Sequence, residues 1–129
     1  MTTIANFIST FKNAAFSNKK SFTMDSSKKL ESITRILFEE GFIEKYQVND
    51  IKNNKKTISV FIKYRNKSNV FTDIKQISKP GLRIYRGINE VPCVLNGLGL
   101  AILSTNKGII SDKNARENNV GGEYILKIW

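Results

Sequence analysis

The stretch GLGLAILSTNKGIISDKNAR, residues 97 to 116, holds two short apolar runs on either side of a polar break. Leu100–Leu103 is too short for a helix buried on all sides and reads as an interior strand. Ser104, Thr105, Asn106, Lys107 and Gly108 then supply hydrogen-bonding groups, one positive charge and one residue free to take positive φ. Ile109 and Ile110 resume the apolar signal at once, so the break is a tight turn between two strands. Ser111 and Asp112 start a helix of one or two turns that ends by Asn119. A turn carrying two hydroxyls, an amide and an ammonium suits a polar, negatively charged partner.

Outward from this hairpin the pattern stays β-rich. Gly121-Gly122-Glu123 leads into a last strand, Tyr124 to Trp129. Upstream, Phe71 to Ile77 opens the segment. Ser78-Lys79-Pro80-Gly81 fits a type II turn with Gly81 at the positive-φ position. Leu82–Arg86 reads as a strand with Leu82, Ile84 and Arg86 on one face and Arg83 and Tyr85 on the other. Gly87 and Pro92 bracket a bend, and Val94 to Leu98 holds a short helix. The single cysteine, Cys93, lies among Val91, Pro92, Val94 and Leu95, the setting of a packed thiol.

The first half reads differently. Ile4, Phe7, Ile8, Phe11, Ala14 and Ala15 follow helical spacing over Thr3–Phe16. Ser17 to Lys20 is a basic loop and Ser21–Asp25 a short strand. Ser26 or Ser27 caps a second helix whose apolar face is Leu30, Ile33, Ile36 and Leu37, stopped at Gly41. Glu39 and Glu40 point about 100° apart on a helix and form a solvated face rather than a convergent pair. Phe42–Val48 begins a strand, Asp50–Lys56 reads as a hairpin loop, and Ile58, Val60 and Ile62 alternate inward along another strand. Tyr64–Asn69 is basic, polar and without periodicity, the most linker-like stretch. The expected fold is α+β in two small, tightly packed parts: residues 1–66 as α-β-α-β-β, and residues 70–129 mostly β with short helices.

The chain of 129 residues carries 21 basic and 11 acidic side chains, a formal charge of +10. An excess of this size points to a polyanionic partner, nucleic acid above all. No apolar run nears the ~20 residues of a membrane span, and Met1-Thr2-Thr3 has no secretory leader pattern. One cysteine and no histidine exclude an internal disulfide and a Cys/His zinc site. Ser104 and Thr105 lie near Lys107 but lack an acid to orient it, and the carboxylates are scattered. Neither an enzyme, a cofactor nor a small-molecule substrate is expected.

The stretch from Gly99 through Ser104, Thr105, Lys107, Gly108, Ile109, Ile110, Ala115 and Arg116 resembles the signature of the family of small-subunit ribosomal protein eight. SKPGLRIYRGINEVP and VLNGLG, the Gly-Gly-Glu strand ending in Trp129, and TIANFISTFKNA with Lys12 also resemble that family. The departures are Asn106 for a serine, Thr10 for an arginine, and Cys93 where relatives often carry a basic residue. The resemblance implies a primary RNA-binding protein that organises the central domain of small-subunit ribosomal RNA, beside neighbouring small-subunit proteins.

A-form RNA offers a wide, shallow minor groove of 2′-hydroxyls and base edges, which small hydroxyl and amide side chains on a stiff tip can read. By the resemblance, Ser104, Thr105 and Asn106 take that role. Lys107, Lys79, Arg83, Arg86 and Lys12 would hold phosphates. Glu123 either accepts hydrogen bonds from the hairpin or a base amine, or is simply solvated. Tyr85 either stacks on a base or is a half-buried strand residue. Two rivals use the same surface: a translational repressor binding a messenger mimic of the ribosomal site, and a charge-driven RNA chaperone. Lys, Asn and Ile make up 47 of the 129 residues, the residues of A/T-rich codons. That suggests a plastid or mitochondrial gene, or an A/T-rich bacterium.

Overall fold

The apolar stripe near the start of the chain winds into helix α1 (Thr3–Phe16), which buries Phe7, Ile8, Phe11, Ala14 and Ala15. The structure, a computed structural model, describes residues 3–51 and 55–129. It is α+β and divides into two units, Met1–Phe71 and Thr72–Trp129.

In the first unit α1 is followed by β1 (Ser21–Asp25), α2 (Lys28–Glu39), β2 (Ile43–Ile51) and β3 (Lys55–Ile62), the expected α-β-α-β-β order. The strands form one antiparallel sheet in the order β1-β3-β2. Ile58, Val60 and Ile62 are buried along the central strand, and Leu30, Ile33, Ile36 and Leu37 along α2. Phe11 packs with its ring centroid 5.0 Å from Phe71, 5.8 Å from Phe22 and 5.9 Å from Phe7. Such ring pairs add about 0.5–1.5 kcal/mol each beyond the area they bury. Of the two candidate caps of α2, Ser27 is the one used: its Oγ accepts from Leu30 N at 3.2 Å.

Two expectations fail in this unit. Asp50–Lys56 is not all loop, because Asp50 pairs with Lys56 and Ile51 with Lys55, and residues 52–54 lie outside the described residues. Ladder hydrogen bonds belong to the backbone, so pairing runs on past the last apolar side chain. Nor is Tyr64–Asn69 an unstructured linker. Tyr64–Arg65 (β4) pairs with Ser68–Asn69 (β5) around Asn66 and Lys67, whose φ values are 53° and 65°. Two successive left-handed residues are what a two-residue type I′ hairpin requires.

The second unit contains β6 (Ile74–Gln76), β7 (Tyr85–Arg86), 3₁₀ turns at Ile88–Glu90 and Val94–Gly97, β8 (Leu100–Thr105), β9 (Gly108–Ser111), α3 (Asp112–Glu117) and β10 (Gly122–Ile128). Its sheet runs β6-β10-β8-β9, with β7 also paired to β10. Val94, Ala101, Leu103 and Tyr124 form a core cluster, with Ile77, Ile84, Val91 and Trp129 packed against it. A buried charge braces the helix. Asp112 Oδ1 accepts from Ala101 N at 3.2 Å and Oδ2 from Arg116 Nη2 at 2.8 Å, while Arg116 Nη1 donates to the Pro92 carbonyl at 3.0 Å. Burial first, and then the Asp112 carboxylate, pushes the Tyr124 phenol up to about 12 against the opposing pull of Arg86.

Here too the sequence expectations need correcting. Lys79 and Leu82 exchange both backbone hydrogen bonds, yet Gly81 does not take a left-handed φ, so the turn is not type II. Pro80 presets the first corner and the second needs no special residue. The strand expected over Leu82–Arg86 is regular only at Tyr85–Arg86, and Leu82 is exposed. Within the opening stretch Phe71–Ile77, Ile74–Gln76 is the regular strand. Cys93 is exposed, not packed. It is extended (φ −121°, ψ 115°) ahead of the 3₁₀ turn, and alternation sends Val94 inward and Cys93 out.

Candidate nucleic-acid interface

Register decides which side chains meet. Ile109 pairs with Ser104, Ser104 with Glu123, and Glu123 with Tyr85. Directly opposed residues of antiparallel strands share a face, so these four form a row across β9, β8, β10 and β7. Thr105, Gly122 and Arg86 form the next row, on the opposite face. A Cβ on Gly122 would stand 2.1 Å from the Ser104 carbonyl oxygen, so the close approach of β10 to β8 at this point requires glycine.

The hairpin tip is stiffened from within. Thr105 Oγ1 accepts from Lys107 N at 3.1 Å and donates to the Gly108 carbonyl at 2.9 Å. Gly108 takes the left-handed φ of 97° that lets the chain re-enter β9. The Thr105 hydroxyl thus closes the turn, while Asn106 and Lys107 project at its exposed end. Ser104 is partly exposed at the start of the row.

Glu123 is held in place. Its Oε2 accepts from Ser78 Oγ at 2.6 Å and from Arg83 Nη1 at 3.1 Å, with 15% of the side chain exposed. The Ser78 hydroxyl in turn accepts from Ile84 N at 3.2 Å. Charge-assisted bonds of this kind fix a carboxylate in one orientation. Tyr85 stands beside it, 64% exposed, so its ring face is open to solvent and not half buried.

Of the sequence-predicted residues, the structure brings Ser104, Glu123, Tyr85 and Arg83 together, with Asn106 and Lys107 at the end of their strand pair. Lys79 is exposed in its own turn. Arg86 lies on the other face, its Nη1 donating to the Tyr85 carbonyl at 3.1 Å. Lys12 is on α1, in the first unit. Arg83, expected on a phosphate, has one nitrogen engaged by Glu123. Sequence reasoning missed Ser78, which is 3% exposed. Its only signal was a serine just ahead of a Pro-Gly turn, and nothing there revealed its distant partner.

Among the described residues no cluster of three or more His, Cys, Asp or Glu could hold a metal ion, and no helix is long and apolar enough to cross a membrane. The convergent groups are hydroxyls, one bound carboxylate and an aromatic ring on a rigid sheet. Together they form a polar and aromatic surface across β8, β10 and β7.

A family model described as ribosomal protein S8 matches residues 2–129. The chain is 44% identical over 129 residues to small ribosomal subunit protein uS8 of Malacoplasma penetrans, covering 100% of this chain and 98% of that one. It is 45% identical over 128 residues to the protein of the same name from Spiroplasma kunkelii, covering 98% and 97%. Its identity to that of Mycoplasma mycoides subsp. mycoides is 47% over 127 residues, covering 98% and 96%. The chain belongs to the ribosomal protein S8 family. It is a structural component of the ribosome and not an enzyme.

Proposed function

We propose that the chain works in the small ribosomal subunit by binding small-subunit ribosomal RNA through the second unit. The observation that carries this reading is the row Ser104–Glu123–Tyr85, ending at the stiff Asn106–Lys107 tip. It places a hydroxyl, a fixed carboxylate and an open ring on one face, the kinds of group that a wide, shallow minor groove of 2′-hydroxyls and base edges can meet. Ser104 and Asn106 hydrogen-bond base edges or 2′-hydroxyls, Tyr85 stacks, and Lys107, Lys79 and Arg83 hold phosphates. Thr105 acts by closing the turn. Arg86 and Lys12 contact RNA away from the row. The central domain of the RNA is the target implied by the family resemblance, with neighbouring small-subunit proteins completing the setting. The related proteins are bacterial, which favours a bacterial cytoplasm over an organelle.

Filter binding tests this. A central-domain RNA fragment is offered against a scrambled duplex of equal length, at two salt concentrations. The native chain should prefer the fragment by a hundredfold or more, on the order of 2.7 kcal/mol. Ser104→Ala/Asn106→Ala should abolish that preference while leaving the residual salt-dependent binding. If both proteins bind both RNAs alike and weaken together with salt, charge alone does the binding and the row has no part in it.

A further inference from the structure

The face of the second unit opposite Ser104, Glu123 and Tyr85 carries a cavity of about 360 Å³ lined by Arg86, Cys93, Tyr124, Lys127 and Trp129, among others. That volume lies within the roughly 300–1,000 Å³ of small-ligand sites. The two faces are separate by register: Tyr85 shares a row with Glu123, and Arg86 lies in the next row, on the side of Tyr124. Two cations stand at this cavity and none of its lining residues is acidic. The Lys127 ammonium lies 5.1 Å from the centroid of the Trp129 ring, within cation–π range, so charge and ring are presented together.

Each half of this lining narrows the ligand. A purely apolar ligand would have to desolvate two cations without pairing them. A bare phosphate would pair the two cations but leave uncovered the part of the half-buried indole that lines the cavity. A ligand with a phosphate and a planar ring satisfies both, because every base has a π-face that can stack on an aromatic side chain. Arg86 is held for such a role through its bond to the Tyr85 carbonyl. The nearby Asp112 carboxylate is already paired with Arg116 and does not oppose an anion with a full charge.

We propose that this cavity binds one unpaired ribonucleotide, its phosphate between Arg86 and Lys127 and its base against Trp129. As a contact to a nucleotide of bound RNA, it rests on the RNA-binding function above and adds a second contact on the opposite face of the sheet. A free nucleotide has the same chemistry, and the test separates the two sources.

The chain has one tryptophan and one cysteine, and both line this cavity. Trp129 fluorescence and the alkylation rate of Cys93 therefore report on it independently. The full chain is titrated with adenosine 5′-monophosphate, adenosine, inorganic phosphate and a single-stranded tetraadenylate. The monophosphate should quench saturably and slow Cys93 alkylation, with at least tenfold tighter binding than adenosine or phosphate. Lys127→Gln should weaken it about tenfold, and Lys127→Arg should restore it. Tighter binding of the tetranucleotide than of the monophosphate assigns the site to an RNA strand; the reverse order assigns it to a free nucleotide and overturns the RNA contact. No saturable quenching by any ligand up to about 10 mM, a range that detects even weak sites, overturns the proposal outright. So does a Lys127→Gln chain that binds as the native one does. Ser104→Ala/Asn106→Ala leaves this cavity intact, so failure here and failure of the hairpin reading are seen in different variants.

Discussion

The interiors of the two units of this chain are stabilised by different means. In the first, the interior is apolar and aromatic, and its one fully buried polar side chain among the described residues, Thr34, bonds back to the Leu30 carbonyl within its own helix at 2.7 Å. In the second, Ser78, Ser111 and Asp112 are all buried, and each bonds a residue from another element or caps a helix. Apolar packing tolerates exchange of one side chain for another of similar volume. A buried polar pair tolerates much less, because removing one partner leaves the other unsatisfied. The unit that bears the candidate interface is thus the one whose geometry is pinned by directional bonds.

The contrast can be broken by mutation. Phe11→Ala removes the centre of the aromatic cluster and should cost about 3–5 kcal/mol in urea unfolding. An effect under about 1 kcal/mol would show that the ring contacts are incidental. Asp112→Ala strands the Ala101 N–H and leaves Arg116 without its carboxylate, and is expected to cost about 1–3 kcal/mol. Asp112→Asn keeps an acceptor for Ala101 and should recover part of that loss; equal losses would mean that the charge pair, not the backbone bond, matters. Gly122→Ala forces β10 away from β8 at the Ser104 row and should cost a similar amount or somewhat less, about 1–2 kcal/mol. Its more telling readout is RNA preference, which should fall with the row disturbed.

Smaller effects sharpen the comparison. Ser27→Ala deletes the N-cap of α2 and should cost about 1 kcal/mol by thermal unfolding. Tyr124→Phe tests the phenol. Its pKa is raised in the fold to about 12 from an ordinary value near 10, so the folded state holds the proton more tightly than the unfolded one. The stability this contributes is complete below pH 10 and is lost as pH climbs from 10 through 12. The native chain should therefore lose stability more steeply over that window than Tyr124→Phe, as read by urea midpoints at successive pH values. Parallel curves would show that the phenol is not shielded.

Local signals carried much of the fold, and the failures have a common cause. Helical spacing placed α1 and α2, alternation placed β3, and a polar break between two aliphatic runs placed the β8–β9 hairpin. Those patterns are written in neighbouring residues. The type I′ hairpin at Asn66–Lys67 was missed because it uses asparagine and lysine in place of glycine at its left-handed positions. Cys93 was misjudged because composition around a residue does not say which way it faces. The site followed the same rule: Ser104, Asn106, Lys107, Tyr85 and Glu123 were all named from the chain, but the Ser78 and Arg83 contacts that hold Glu123 were not.

By itself the sequence determined the α+β class, the α-β-α-β-β order of the first unit, the basic charge and the hairpin tip, because each rests on composition or on contacts a few residues apart; the family it showed through its motifs. Tertiary structure alone decided that Ser104, Glu123 and Tyr85 share a row. It alone also clamped Glu123 between Ser78 and Arg83. Strand register sets these relations, and a shift of one residue would send every side chain to the other face. That register is fixed jointly by the core, the Gly122 contact and the bulge between Tyr124 and Leu126, groups that meet only when the sheet has formed.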